Sequence, residues 1–293
     1  VSYVSEVLAD SPTAYFRLAE STGNPLDSSG HGFAIGASQT ANCLRGLHSL
    51  VGDPADAAWY FTDNNTLYVG ITYNTIFDAN PDTSVEMWFR STSTLAGQQQ
   101  WLAGQSSSAQ FQLYLLNGRV TWVTFLSGGS SNAGVAGSID LRDGNRHHVV
   151  GVRSGLTALL YVDGVLVGSQ SFASMKTTQI NTYNFGGHPS NSVNVSAAVI
   201  DEYAQYNSAL SAARVLAHYN AALPMQADRL RDARLAGAVL SVSGSKARTG
   251  RLSMQVLSGP PQKMRTGRVS VQVLYQQPVA AATGLADGWG VQI

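Results

Sequence analysis

Two dipeptides constrain the fold of this chain more than any other feature. Asn117-Gly118 interrupts FQLYLLNGRVTWVTF (111–125), and Asp163-Gly164 interrupts ALLYVDGVLVGS (158–169). Asn-Gly and Asp-Gly accept the positive φ angles of a type I′ turn, whose twist matches that of two paired strands. Each dipeptide therefore predicts a two-residue β-hairpin. VEMWFR (85–90) and HHVVGVR (147–153) alternate in the manner of half-buried strands, and Gly-rich turns separate further short runs. This pattern predicts an all-β chain folded as an antiparallel sandwich or jelly roll. One helix is predicted, after Ser211, which is placed to cap it, with Leu210 and Val215 as a hydrophobic staple. It runs to about Asn220 and stops before Pro224.

The 293 residues suit one large β domain with an appendage. Hydrophobic residues make up 44%, enough for a sizeable core, while only 12% are charged. The net charge of zero hides a split. Residues 1–224 carry 9 Lys/Arg against 15 Asp/Glu, a net of −6, and residues 225–293 carry 9 against 3, a net of +6. The basic segment is suited to docking on an acidic partner, including the acidic domain of a neighbouring copy. Its arginines lie in alternating strands and not in basic runs with stacking aromatics, so no nucleic-acid partner is expected. Cys43 is the sole cysteine, which excludes an intrachain disulfide framework. No apolar run reaches transmembrane length, so no membrane insertion is expected. VSYVSEVLADSP has neither a basic nor an apolar region of the signal-peptide kind. Either the chain is made and assembled in a cytoplasm, or a leader has already been removed.

YVSEVLADSPTAYFRLAE followed by PLDSSGHG (3–32), SVEMWFR (84–90), RHHVVGVRSGLTALLYVDGVLVGS (146–169) and FGGHP (185–189) are the segments that carry a family likeness. The most diagnostic is AAVIDEYAQYNSALSAARVLAHYNAA (197–222), with Ile-Asp-Glu on a last strand and Tyr-Asn ahead of a Leu-Ser that starts a helix. Together they resemble the laminin-G-like, concanavalin A-like jelly-roll family over residues 1–223. Arg214 departs from the Glu that often completes the capping box there. The resemblance implies a lectin-like sandwich. It also implies a calcium site near the start of the domain and the closing Ile-Asp-Glu strand, which residue by residue points to Asp27 and Asp201. Against that stands a plainer role, with Asp27 capping the LDSSG turn and Asp201 bonding nearby backbone.

Beyond Pro224 the pattern changes. Three 17-residue repeats, RDARLAGAVLSVSGSKA (231–247), RTGRLSMQVLSGPPQKM (248–264) and RTGRVSVQVLYQQPVAA (265–281), each open Arg-x-x-Arg and carry Val-Leu at the ninth and tenth positions. Each reads as one strand and a turn. Three strands so poor in aromatics hardly bury a core alone, so residues 224–293 are expected to pair with each other and with another chain. The residues expected to mediate this docking are Arg231, Arg234, Arg248, Arg251, Arg265, Arg268, Leu252, Val256, Val269 and Val273. Such repeats behind a sandwich resemble the C-terminal segments of tailed-phage virion proteins. That resemblance implies a virion location, a homo-oligomer of threefold or other cyclic symmetry, and other virion proteins as partners.

Catalytic patterns are missing. The paired carboxylates of a glycanase, placed in related sandwiches as Glu-x-Asp-x-x-Glu, do not occur, and the four glutamates are Glu6, Glu20, Glu86 and Glu202. No nucleophile elbow, Walker loop or dinucleotide fingerprint appears. His147 and His148 adjoin on one strand and so face opposite sides, which makes a shared metal site awkward. Trp59, Tyr60, Trp101 and Trp122 are candidates by type for stacking under a sugar, with Trp88 and Trp122 expected in the core. The expected function is a non-enzymatic virion structural protein, a decoration, fibre, collar or minor tail component. The alternative is an adhesin that grips a surface glycan, and a glycanase is the remote third reading. No cofactor is required on either main reading, calcium being the one candidate.

Overall fold

A computed structural model describes residues 2–36, 40–53, 56–62, 67–72, 82–94, 97, 99–105, 111–125, 132–174, 183–188, 196–223, 252–258 and 265–271. The chain divides into two compact units, Val1–Arg231 and Asp232–Ile293.

The first unit is a sandwich of two antiparallel sheets. Its larger sheet is built around β5 (Thr83–Arg90), which pairs with β10 (Arg146–Ser154) on one side and β14 (Ala198–Tyr206) on the other. Outward from β10 come β11 (Thr157–Val162) and β12 (Val165–Ser171). Outward from β14 come β3 (Ala57–Phe61) and β2 (Leu44–His48), and β1 (Ala14–Phe16) also pairs with β14. The smaller sheet runs in the order β4 (Val69–Ile71), β13 (Tyr183–Phe185), β6 (Gln99–Gly104), β7 (Phe111–Leu116), β8 (Arg119–Phe125) and β9 (Asn132–Ala136).

Alternation along the strands sorts side chains between two apolar layers. On β5, Val85, Met87 and Phe89 join the core between the sheets, against Leu113 and Trp122 of the smaller sheet. Trp88 points the other way, into a second layer on the outer face of the larger sheet. Two helices cover part of that face. The predicted one is α2 (Ala212–Ala222), capped by Ser211, whose hydroxyl accepts from the Arg214 backbone N–H at 3.3 Å. The other, α1 (Tyr3–Ala9), is not anticipated by the sequence reading. At seven residues it is too short to stand on propensity. It is held by the Ser2 cap and by burying Tyr3 and Val7, one turn apart, beside Val215 and Ala222 of α2.

Both signalled hairpins form as expected. Asn117 and Gly118 have φ of 51° and 79°, and so do Asp163 and Gly164. Gly118 is required twice over, because a Cβ there would lie 1.8 Å from an Asp140 carboxylate oxygen.

In the second unit, β15 (Leu252–Ser258) and β16 (Arg265–Val271) form an antiparallel pair, with Met254 opposite Val269 and Gln255 opposite Arg268. Leu252, Val256, Arg265, Arg268 and Val269 lie on these strands. Arg231, Arg234, Arg248, Arg251, Val273 and the whole first repeat lie outside the described residues. The second repeat places its strand at positions 5–11 and the third at positions 1–7, so the 17-residue period is not a period of strand placement.

Candidate functional site

Three features of the larger sheet bring polar side chains together among the described residues. The first is a cleft of about 590 Å³ where β5 ends. Tyr60 of β3, Arg90 of β5 and the following Ser91-Thr92-Ser93-Thr94 line it, with Ala197, Val199 and Gly144 behind. Tyr60 is half-buried, while Arg90, Thr92 and Thr94 are exposed. The segment is pinned at its root: the Ser91 hydroxyl donates to the Ala197 carbonyl at 3.1 Å and accepts from Gln100 at 3.2 Å and from the Ser93 N–H at 3.1 Å. Gly144 donates its N–H to the Ser91 carbonyl and has a φ of +82°, and a Cβ there would lie 3.1 Å from the Thr92 methyl. A side chain at this position would both strain the turn and crowd the cleft.

The second feature lies under the helices. Glu86 is fully buried and accepts from His148 Nε2 at 2.9 Å, from His218 Nδ1 at 3.1 Å and from the Tyr206 hydroxyl. His218 Nε2 meets Asp10 at 2.8 Å. An imidazole with a carboxylate at each nitrogen must donate from both, which makes it an imidazolium. Burial alone would lower the pKa of His218, but Glu86 and Asp10 outweigh it and raise it. Burial would likewise raise that of Glu86, but His218 and His148 hold it far below the carboxylate range. Arg214 completes the chain of charges, reaching Asp10 at 2.8 Å and Glu6 at 2.7 Å. The Arg that breaks the family capping box thus ties α2 to α1. Trp88, His148 and Tyr219 form a cluster of stacked rings, with centroids 5.1 Å (Trp88–His148), 5.8 Å (Trp88–Tyr219) and 6.5 Å (His148–Tyr219) apart.

The third feature is a carboxylate cluster. Asp56, Asp201 and Glu202 are buried, with one oxygen from each within 4.8 Å of the others. A bulge in β14 makes this possible: the register with β5 shifts between Asp201 and Ala204, and Glu202 has a φ of 55°. Arg17 meets Asp56 at 2.8 Å and Glu202 at 3.6 Å. The Tyr15 hydroxyl donates to Glu202. Asp201 Oδ2 accepts from the Leu50 N–H at 2.7 Å and from Ser49 at 3.0 Å, while its Oδ1 is buried without a hydrogen-bond partner among the described residues. Burial first and the neighbouring carboxylates second push Asp201 and Glu202 well above the ordinary range. Three buried carboxylates facing one guanidinium, with an orphaned oxygen, are a donor set that fits a hard divalent cation.

Residues 63–216 match the family profile of the concanavalin A-like lectin/glucanases superfamily. The chain belongs to that superfamily. Among solved structures this lectin-like fold is similar to the binding domain of Paraclostridial mosquitocidal protein 1, at 14% identity and a TM-score of 0.59, over 73% of this chain and 52% of that one. It is also similar to the botulinum neurotoxin serotype D binding domain, at 15% identity and a TM-score of 0.56, over 75% and 52%. The same serotype's domain in complex with N-acetylneuraminic acid matches at 13% identity and a TM-score of 0.56, over 75% and 52%. The chain thus spans about half the length of these toxin domains, and the likeness is one of fold. No curated protein matches it.

Within this lectin-like sandwich the sequence-derived candidates separate. Asp201 joins Asp56 and Glu202, whereas Asp27 stays with its own turn, both oxygens accepting from the Tyr15, Ser29 and Phe33 N–H groups at 2.9–3.0 Å. Trp59, Trp88, Trp101 and Trp122 are all at most 1% exposed, which leaves Tyr60 as the aromatic candidate that reaches a cleft. His147 and His148 do face opposite ways, His147 lying between Asp163 at 2.8 Å and Asp143 at 3.1 Å. Cys43 is buried, and its thiol is pushed up to about 12 by burial, the unreactive end of thiol behaviour. Asp56, Arg17 and Arg90 escaped sequence reasoning. Nothing in their local sequence marks them, because each gains its meaning from strands distant in the chain. No helix among the described residues is long and apolar enough to cross a membrane.

Proposed function

We propose that this chain is a non-catalytic carbohydrate-binding module, with the cleft beside Tyr60 as its sugar site. The observation that carries the reading is the combination in that cleft of one accessible aromatic side chain with a pinned run of hydroxyls, on a lectin-like sandwich. An aromatic face gives a sugar ring an apolar platform, and Thr92 and Thr94 supply hydrogen-bonding groups at the rim. Two of the four glutamates, Glu86 and Glu202, are fully buried in structural networks, which argues against their use as paired glycanase carboxylates. The serotype D toxin domain crystallised with N-acetylneuraminic acid is a precedent for sugar binding by a protein that contains this fold. A calcium ion held by Asp56, Asp201 and Glu202 would brace the β14 bulge three residues from the cleft-lining Val199.

The deciding experiment is a glycan array probed with the wild-type chain and with Tyr60→Ala. Binding that Tyr60→Ala abolishes is the expected result. Binding indifferent to the substitution would move the site elsewhere, and an array with no binder would remove the reading.

A second reading concerns the basic tail. The opposite charges of residues 1–224 (net −6) and 225–293 (net +6) favour these repeats as an assembly device that docks on other copies. On this reading the chain forms a cyclic homo-oligomer and displays its sandwiches. The virion setting rests on the tail's resemblance alone, and the toxin relatives lend it no support.

A further inference from the structure

We infer that the ligand of this cleft is an anionic saccharide, its acidic group held by Arg90. The inference rests on the proposed sugar site and names the class of sugar it takes.

Arg90 ends β5 with its side chain exposed at the cleft, and among the described residues no carboxylate pairs with it. Among the described residues, none of those lining the cleft carries a negative charge. The lone guanidinium sits in a domain whose overall charge is −6, so its isolation owes nothing to a shortage of acidic residues. Its cross-strand neighbour increases the need for an anion. Arg146 stands directly opposite Arg90 in the β10–β5 register, and like charges facing across a strand pair oppose each other. Arg146 is already engaged, donating to the Leu50 carbonyl at 2.5 Å while its guanidinium lies 5.4 Å from the centre of the Trp88 ring. Among the described residues, Arg90 is the member of the pair that no hydrogen bond or ion pair engages.

A guanidinium offers a planar fork that matches a carboxylate or a sulfate with two parallel hydrogen bonds. With the acid held there, the neighbouring Tyr60 and Thr92 are placed for the sugar ring and its hydroxyls. A nucleic acid backbone fits poorly, because it needs a track of several cations and the cleft has one among the described residues. The two sources of the anion, a carboxylated and a sulfated sugar, share the Arg90 contact.

The test is calorimetric titration of the full chain with an oligosaccharide ending in N-acetylneuraminic acid, its desialylated counterpart, a uronate-terminated sugar and a sulfated sugar. The acid-bearing sugars are expected to bind about ten- to a hundred-fold more tightly than the neutral one, the range of a hydrogen bond to a charged group. Arg90→Gln should bring the acidic sugars to the level of the neutral one. Because Arg90 is exposed and faces a like charge, the variant's melting temperature should be no lower than that of wild type, and raising NaCl on wild type should erode the same preference independently of any variant. Preference for the carboxylated or for the sulfated sugar identifies the source of the anion, and either supports the inference. Equal binding of acidic and neutral sugars, lost in Tyr60→Ala and untouched by Arg90→Gln, overturns this inference and leaves the sugar site standing. Binding of none of the sugars removes both.

Discussion

Replacing Glu86 by Gln tests whether the buried ion network holds the helical layer on the sandwich. The change preserves size, so no cavity term enters. It removes the charge that accepts from His148, His218 and Tyr206 in a site with no exposed surface. It also sets an amide N–H among donors. Breaking a buried pair by removing one partner costs about 3–5 kcal/mol. The lower end applies here because Asp10 still faces His218 at 2.8 Å. For a domain of this size that is a drop in melting temperature of roughly 6–12 °C near neutral pH. The pH dependence is a sharper signature. The folded pKa of His218 is raised, so its contribution is complete below its unfolded value of about 6.5 and fades as pH rises through the folded one. The folded pKa of Glu86 is lowered, so its contribution is complete above about 4.3 and fades as pH falls through the folded one. Wild type should gain most from this network between those values, and Glu86→Gln should flatten both limbs of the curve. Melts followed by circular dichroism from pH 3 to pH 9 are the assay. A loss under 2 °C with unchanged limbs would refute the argument.

Other consequences can be checked with the same equipment. Calcium at a hundred times its dissociation constant should stabilise the chain by about 2.7 kcal/mol, a rise of roughly 5–10 °C over the chelated sample, and Asp201→Asn should abolish the difference; equal melts with calcium and chelator would dismiss the cation. Gly151→Ala should cost about 1–3 kcal/mol in denaturant titration, since its Cβ would lie 2.2 Å from the Trp122 ring; a neutral result would mean that the ring moves freely. Arg214→Ala should loosen α1 before the sheets, seen as faster amide exchange over Tyr3–Ala9; exchange unchanged there would deny the interhelical tie. Light scattering should find the full chain oligomeric and a chain ending at Leu223 monomeric, and two monomers would defeat the assembly reading of the tail.

Local chemistry set the sandwich. Asn117-Gly118 and Asp163-Gly164 require nothing beyond their own backbone preferences to make hairpins, and the alternation of VEMWFR assigns inner and outer faces without a partner strand. Ser211 caps α2 within four residues of sequence. The sites obey a different rule, because their energetics arise between segments that are remote in the chain. Asp201 acquires an unsatisfied oxygen when a bulge in β14 carries Glu202 beside it and the residue ahead of β3, Asp56, joins them. Glu86 looks like a polar interruption in an apolar strand until α2 brings His218 over it from 132 residues away. Arg90 is one basic residue among eighteen Lys and Arg, and strand register alone sets it opposite Arg146 at the mouth of a cleft. Turn and strand preferences are properties of neighbouring residues, so the sequence alone could declare them. Burial, orphaned charge and the meeting of distant side chains exist only once the sheets have closed, and there only the tertiary structure decides.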